Sequence, residues 1–325
     1  MTITTRRRFL HLALALLATS ALSGPVSAQS WPSKTIRAIV PFSIGSSVDI
    51  IGRVVLDPLA AQLGQSIVVE NRGGAGGTIG SNLVARADPD GYTLLIQASA
   101  HSAAPAAYPK APYDTAKDFA AVAVFGVIPN VLIISPKKGI KTLQALGAAA
   151  KKGSISFASA GVGSASHWAV ERIRLSGGFN ALHVPFKGGP EAILEVATGR
   201  VDFMSPGVSS ALPFIREGRL IALAVSTPKR SAALPDVPTT QEAGYADADY
   251  TFWNGMLVPA NTPRPVIDRL HREVQKVLAL PGVKEKFVLF GVEPMVLSPA
   301  EFDALIRKEI AINLSIVKAA NLKFD

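Results

Sequence analysis

The chain has 325 residues, with 33 Lys and Arg against 24 Asp and Glu, 48% hydrophobic residues and no cysteine. It is too apolar and too sparsely charged for a disordered chain. The missing sulfur excludes a disulfide scaffold, a thiolate zinc site, an iron–sulfur protein and a cysteine nucleophile. At this length two domains are the starting expectation.

The first 28 residues read as an export signal. Met1 to Arg8 hold three arginines and no acid, Phe9 to Leu22 are almost wholly apolar, and Val26-Ser27-Ala28 offers small residues for cleavage. The apolar stretch is short of the about 20 residues that span a bilayer. Thr5-Arg6-Arg7-Arg8-Phe9-Leu10 resembles a twin-arginine signal, which is read by a receptor. The expected product is periplasmic, cleaved near Ala28 and not membrane-anchored, since without cysteine there is no acceptor for an N-terminal lipid. The positive charges are scattered, as at Lys137-Lys138 and Lys151-Lys152, and aromatic residues make up only 7%. That is a solvated surface with a mild preference for anions, and it gives no sign of a nucleic-acid partner.

From Trp31 onward, strand and helix patterns alternate. Ile36 to Phe42 reads as a strand, Ser47 to Gly64 as an amphipathic helix, Ser66 to Glu70 as a strand, Thr78 to Ala87 as a helix and Tyr92 to Ala98 as a strand. The rhythm restarts with strands at Ala121 to Val127 and Asn130 to Ser135 and a helix at Leu143 to Lys151. Strand Ser154 to Ser159, helix Ser166 to Leu175, strand Ala181 to Phe186, helix Pro190 to Thr198 and strand Val201 to Met204 follow. A helix at Ala211 to Glu217, strand Leu220 to Val225, an ordered connection from Ser226 to Asp249 and strand Thr251 to Val258 come next. Helices Pro263 to Leu278, Val283 to Phe290 and Pro299 to Ala320 close the chain. The alternation predicts two α/β domains, each with a mainly parallel sheet. Ligands of such sheets sit beyond the carboxyl ends of the strands, over helix N-termini.

Two loops stand out on that rule. The first, Pro41 to Asp49, holds Phe42, Ser43, Ile44, Gly45, Ser46 and Ser47 just before a helix, where free amides and the helix dipole favour an anion. Ordinary N-capping by Ser46 or Ser47 is the plainer alternative, and Asp49 fits a loop-bracing role. The second, Ser159 to His167, offers Ser159, Ala160, Gly161, Ser164, Ser166 and His167. Its Gly161-x-Gly163 lacks the third glycine of a dinucleotide fingerprint, with Ser166 in that place, and no acid follows Val184-Pro185-Phe186-Lys187. It reads as a small-anion nest. Ser99 and Ser205, each directly after a strand, complete the candidate ligand-binding set. The glycine-dense Glu70 to Gly80 stretch lacks the Gly-Lys-Ser/Thr ending of a phosphate loop and reads as a tight turn close to the pocket.

Catalytic constellations are poor: no Gly-x-Ser-x-Gly, no His-Glu-x-x-His, no paired carboxylates on one helix face. His101 and His167 fall in candidate pocket loops, His183 begins a strand and His271 lies on a helix face; each reads first as a hydrogen-bonded structural histidine. No cofactor and no metal site are expected. An exported chain with two α/β domains and anion-ready loops reads as a binding protein. A secreted ester hydrolase using Ser164 or Ser166 with His167 is the enzymatic alternative, and neighbouring helix positions make its geometry poor.

These same stretches resemble the substrate-binding proteins of the tripartite tricarboxylate transporter system, the Bug-type extracytoplasmic solute receptors. The resemblance is carried by Pro41-Phe42 with Gly45 and Asp49, Val69-Glu70-Asn71-Arg72 with Gly74-Ala75-Gly76-Gly77, and Pro89-Asp90-Gly91-Tyr92-Thr93. Tyr108-Pro109-Lys110 with Pro112-Tyr113-Asp114, His183 to Gly188, and Leu234 to Thr239 continue it, in order, over nearly all of the chain after the leader.

The resemblance implies a type II periplasmic binding protein fold, a Venus flytrap of two α/β domains joined by a two-crossing hinge. It places residues 30–129 plus 255–325 in domain one and 130–254 in domain two, with crossings near Pro129 to Leu132 and Tyr250 to Trp253. It implies a monomer that holds a small carboxylate between Ser43–Ser47 and Ser159–Ser166 through backbone amides and water, and delivers it to a membrane permease of the tripartite type. A receptor serving a signalling partner would have the same site. Two departures matter. The first loop reads Ser43-Ile44-Gly45-Ser46 where relatives show a proline before paired glycines, and Ser205-Pro206-Gly207 stands where several have an acid. The missing acid argues against an amino-acid ligand. Ile44, His167, Trp168 and Phe186 near these loops point to an aromatic or otherwise apolar carboxylate.

Overall fold

The computed structural model describes residues 31–250 and 252–320; the leader reading on residues 1–28 lies outside them. In chain order the elements are β1 (Ile36–Val40), α1 (Ser47–Leu63), β2 (Ile67–Asn71), α2 (Thr78–Ala85), β3 (Thr93–Ala98), α3 (Ala100–Ala107) and β4 (Phe119–Val127). Next come β5 (Val131–Ile134), α4 (Leu143–Lys152), β6 (Ser156–Ser159), α5 (Ala165–Gly177), β7 (Leu182–Pro185), α6 (Gly189–Thr198), β8 (Phe203–Met204), α7 (Val208–Arg216) and β9 (Ile221–Val225). The last are β10 (Trp253–Pro259), α8 (Arg264–Ala279), α9 (Pro281–Leu289) and α10 (Pro299–Ala320).

The strands form two five-stranded sheets with the same plan, β2-β1-β3-β10-β4 and β7-β6-β8-β5-β9. In each, three strands run parallel, and a fourth lies antiparallel between the third and the outermost. The expectation of mainly parallel sheets is therefore corrected to mixed ones. The reversed strands, β10 and β5, are those entered on coming from the other sheet, so they are not laid down by a βαβ crossover that would fix their direction.

Side-chain alternation explains why the second sheet is covered on both faces. In β5, Leu132 and Ile134 join Phe157, Phe203, Leu146 and Ile173 in one core; Val131 and Ile133 join Ala158, Met204, Ile193 and Leu212 in the other. Period-two alternation sends neighbours to opposite faces, and both faces are apolar because helices lie on each. The first sheet is held likewise, with Ile39, Leu95, Val124, Trp253 and Leu257 packed against Phe302 and Ile306 of α10. The chain's last helix thus closes the sheet that its first strand begins. The segment 226–252 has no helix or strand within its described residues, yet is tied to β9 and its end by Val225 N–H to Pro238 O, Thr240 N–H to Val225 O and Tyr250 N–H to Ser226 O.

Two differences from the sequence reading bear on the cleft. Residues 100–107 are helix α3, not a pocket loop. α7 begins at Val208, three residues before the predicted Ala211, so that Gly207 is its N-cap.

Candidate functional site

The loop after β1 is built around one buried carboxylate. Asp49 is 2% exposed. Its Oδ2 accepts from Gly45 N–H at 2.9 Å, and its Oδ1 accepts from Arg53 Nε and Asn71 Nδ2, each at 2.9 Å. Asn71 Nδ2 also donates to Phe42 O at 3.0 Å, which ties the loop to β2. Gly45 takes φ +80°, a conformation that a side chain resists. Ser46 then caps α1 by accepting from Asp49 N–H at 3.3 Å. Sequence reasoning expected Asp49 to brace the loop, and the geometry shows how.

The loop after β6 is braced by hydroxyls and imidazoles, with buried Glu171 and its partner Arg174 behind them on α5. Ser164 caps α5, accepting from His167 N–H at 3.4 Å, and Ser166 Oγ accepts from Ala160 N–H at 3.0 Å. Gly161 N–H donates to Ser159 Oγ at 3.1 Å, and Gly163 N–H to His167 Nδ1 at 3.0 Å. Ser159 Oγ also pairs with His183 Nε2 at 2.6 Å. The two imidazoles stack at 4.0 Å, and Phe157 stacks on His183 at 4.7 Å. Burial lowers the pKa of His167 to about 2, helped by His183 and Arg174, and burial with Arg174 lowers His183 to about 4. Both rings are neutral near pH 7. His167 Nδ1 accepts from the Gly163 amide and so is already engaged, which tells against its serving as a base for Ser164 or Ser166.

Consequently the amides of Gly45, Ala160, Gly161 and Gly163 are spent on the loops themselves. The donors left over by helix geometry are those of the first helical turns, which have no carbonyl four residues back. Five such N-termini converge on one cavity, the start of α3 at Ala100 among them. Its lining includes Ser46 and Ser47 of the α1 entry, Ser164, Ala165 and Ser166 of α5, Gly189 of α6, and Gly207 and Ser210 of α7. Phe42, Val48, Ala98, Ala100, Ala160, Met204, Pro206 and Phe252 complete the wall, and none of the lining residues is charged. The free space within it is about 40 Å³. The loops meet directly across it, with Ser47 Oγ 3.2 Å from Ser210 Oγ and 3.4 Å from Gly207 O. Gly207 is small by necessity, since a Cβ there would stand 2.5 Å from Ser47 Oγ.

Of the fourteen candidate residues, the cavity brings together Phe42, Ser46, Ser47, Ala160, Ser164 and Ser166. Ser43 lies outside it, bonded to Glu191 Oε1 at 3.5 Å, and Ile44 points to solvent at 70% exposure. Gly45, Ser159, Gly161 and His167 act behind the wall. Ser99 and Ser205 are buried beside lining residues. His101 stands apart, 1% exposed within α3 and edge-on to Phe119 at 4.8 Å. Trp168 is in the core, Phe186 packs beside the second sheet, and neither lines the cavity. The four residues that pointed to an aromatic ligand therefore give that reading no support. Missed by the sequence reading were Met204, Pro206, Gly207, Ser210, Gly189 and Phe252. Pro206-Gly207 followed by Ser209-Ser210 before an apolar run is a helix-start signal that would have found four of these positions' neighbourhood.

Among the described residues there is no His, Asp or Glu cluster that would hold a metal, and no helix is long and apolar enough to cross a membrane.

Two mixed α/β lobes with helix N-termini aimed into the cleft between them define a periplasmic binding protein. A solved structure of the periplasmic binding protein BugD matches with a TM-score of 0.86 and 33% identity, covering 90% of this chain and 99% of that one. MatC from Rhodopseudomonas palustris with bound malate matches at TM-score 0.84 and 31% identity, over 88% of this chain and 100% of its own. An R. palustris protein with adipate matches at TM-score 0.87 and 28% identity, over 90% and 99%. Residues 51–322 match the family TctC, the tripartite tricarboxylate transporter family receptor, and the chain belongs to that family. Its members are periplasmic solute-binding receptors of the Bug type, not enzymes.

Proposed function

We propose that this protein captures a small carboxylate by hinge closure and delivers it to a tripartite-type membrane permease. The observation that carries the reading is the convergence of five helix N-termini on a cavity whose lining bears no charged side chain. Such termini favour an anion by dipole and by their unpaired amides. Without a lysine or arginine, recognition falls to hydrogen bonds with defined directions. The lobes would be residues 30–129 with 255–325, and 130–254, crossing at 128–130 and again before Trp253. Closure is favoured because only then do donors of both lobes reach one ligand. At about 40 Å³ the closed cleft has room for a few waters, so the lobes must part to admit a solute.

The ligand class follows from the wall. Phe42, Val48, Met204 and Phe252 supply an apolar flank for a carbon skeleton, and no acid is present to meet an ammonium group. An apolar mono- or dicarboxylate fits better than an amino acid, in keeping with the malate and adipate held by two of the related structures. The chain would reach the periplasm through a leader cleaved near Ala28 and act as a monomer.

Thermal unfolding in the presence of malate, adipate, benzoate, glutamate and adipamide tests this. Ligand at 100 times its Kd stabilises by about 2.7 kcal/mol. A rise with a carboxylate and none with its amide supports the reading. A larger rise with glutamate than with every simple acid, or no rise with any acid, overturns it.

A further inference from the structure

Tyr108 lies at the C-terminal cap of α3 in the first lobe, outside the cavity lining. Its hydroxyl donates to Val162 O of the second lobe at 3.0 Å. Val162 sits between Gly161 and Gly163, in the turn that ends two residues later at the α5 cap, Ser164. The contact is fitted on both sides. A Cβ on Gly163 would stand 3.3 Å from the Tyr108 ring and 2.6 Å from Ala107 Cβ, while a Cβ on Gly76 would stand 3.0 Å from the ring and 2.2 Å from Val162 O. Burial raises the phenol's pKa, so the hydroxyl keeps its proton in the neutral range.

We propose that Tyr108 is a positioning residue for ligand capture: it clamps the Gly161–Ser164 turn across the cleft and holds α5's N-terminus in the closed arrangement without touching solute. The proposal rests on the hinge closure put forward above. Glycine at 76 is then explained by the close approach of Val162 O from the second lobe, and glycine at 163 by the close approach of Ala107 and the Tyr108 ring from the first. The clamp lies to one side of the ligand, so its effect is on the open–closed equilibrium and hence on solute release.

A ligand-free test is available because the chain has no cysteine of its own. Ser47→Cys with Ser210→Cys places two thiols where hydroxyls now stand 3.2 Å apart across the cleft. The rate at which that pair is oxidised by a fixed concentration of an added small disulfide, which is reduced to its thiols, reads the closed population. Tyr108→Phe in this background should slow disulfide formation about 2- to 10-fold, the equivalent of one hydrogen bond. Gly76→Ala should slow it more than tenfold, and the positive φ of +60° at that position should also lower the melting temperature of the reduced protein. An unchanged rate in Tyr108→Phe alongside a slowed one in Gly76→Ala overturns the clamp and leaves the hinge standing. Fast oxidation in every background, Gly76→Ala included, shows that the lobes do not part and sinks the hinge with it. No oxidation in any background shows that the turns do not meet and overturns the clamp as well.

Discussion

Both lobes bring a serine-capped helix to the cleft from the end of a parallel strand, but they hold it there by opposite electrostatics. The first lobe uses a buried carboxylate, Asp49, with Arg53 and Asn71 around it. The second uses neutral imidazoles stacked on Phe157. The backbone plan is nonetheless the same. Asn254 of β10 donates to Val48 O in the first turn of α1 at 3.5 Å, and Asn130, just before β5, donates to Ala165 O in the first turn of α5 at 3.4 Å. Each reversed strand thus braces the helix that faces the ligand. The lesson is that a solute cleft needs its helix N-termini fixed, and that the chemistry fixing them is free to differ as long as it stays behind the wall.

The largest effect should come from the charged brace. Asp49→Ala leaves the Gly45 amide, Arg53 and Asn71 each short of an acceptor. Hydrogen bonds to charged groups are worth about 1.5–3 kcal/mol each, reduced here because Arg53 is partly exposed, so a loss of about 2–3 kcal/mol is expected in urea unfolding. His183→Gln in the second lobe, which removes one neutral partner of Ser159, should cost about 1 kcal/mol. Equal losses would erase the distinction between the lobes.

Acid should act next, and mainly on the second lobe. The folded pKa values of His183 and His167, about 4 and about 2, lie below the unfolded value near 6.5. Between those limits the unfolded chain binds protons that the folded one refuses, so stability is full above pH 6.5 and falls as pH drops towards 4. His101, lowered to about 3 by burial, adds the same sign in the first lobe. Unfolding midpoints followed from pH 7 to pH 4 should therefore decline. The decline should be shallower in His183→Gln.

How far the sequence revealed this arrangement differs between elements. Strand and helix alternation was legible because hydrophobic period and capping are local, and Ser46, Ser164 and Asp49 announce themselves at helix starts. The direction of β5 and β10 was not, because it depends on which sheet the chain has just left. The cleft was half legible for a related reason. Phe42, Ser46, Ser47, Ala160, Ser164 and Ser166 follow parallel strands, where the strand-end rule points. Gly207 and Ser210 follow β8, whose two residues barely register as a strand, and Phe252 arrives on the return crossing. Ile44 and Trp168 were misjudged because proximity in sequence says nothing about which side of a loop faces the cavity.

Cap deletions should give smaller and matched effects. Ser46→Ala and Ser164→Ala each remove one side-chain acceptor at a helix N-terminus, worth about 1 kcal/mol. Ser164 Oγ also lies 3.1 Å from Ser166 Oγ, so its loss should be the greater of the two by a few tenths of a kcal/mol, within reach of urea titration. A reversal of that order would place the tighter cap in the charged lobe.

The smallest effect is expected at the outer strand of the first lobe, where Glu70 accepts from Arg37 Nε at 2.8 Å and from Arg72 Nη2 at 2.9 Å. Its pKa is lowered to about 2, first by the hydrogen bond from Arg37 and then by that from Arg72. The sign runs with the carboxylate: the contribution is present above about pH 4.5 and disappears as pH falls towards 2. Both arginines are more than half exposed, so water and salt screen the pairs. Glu70→Gln should cost under about 1 kcal/mol at low salt and nothing measurable in 1 M NaCl, whereas the Asp49→Ala loss should survive the salt. If salt removed both losses alike, Asp49 would be behaving as a surface charge, and the first lobe's buried brace would have to be given up.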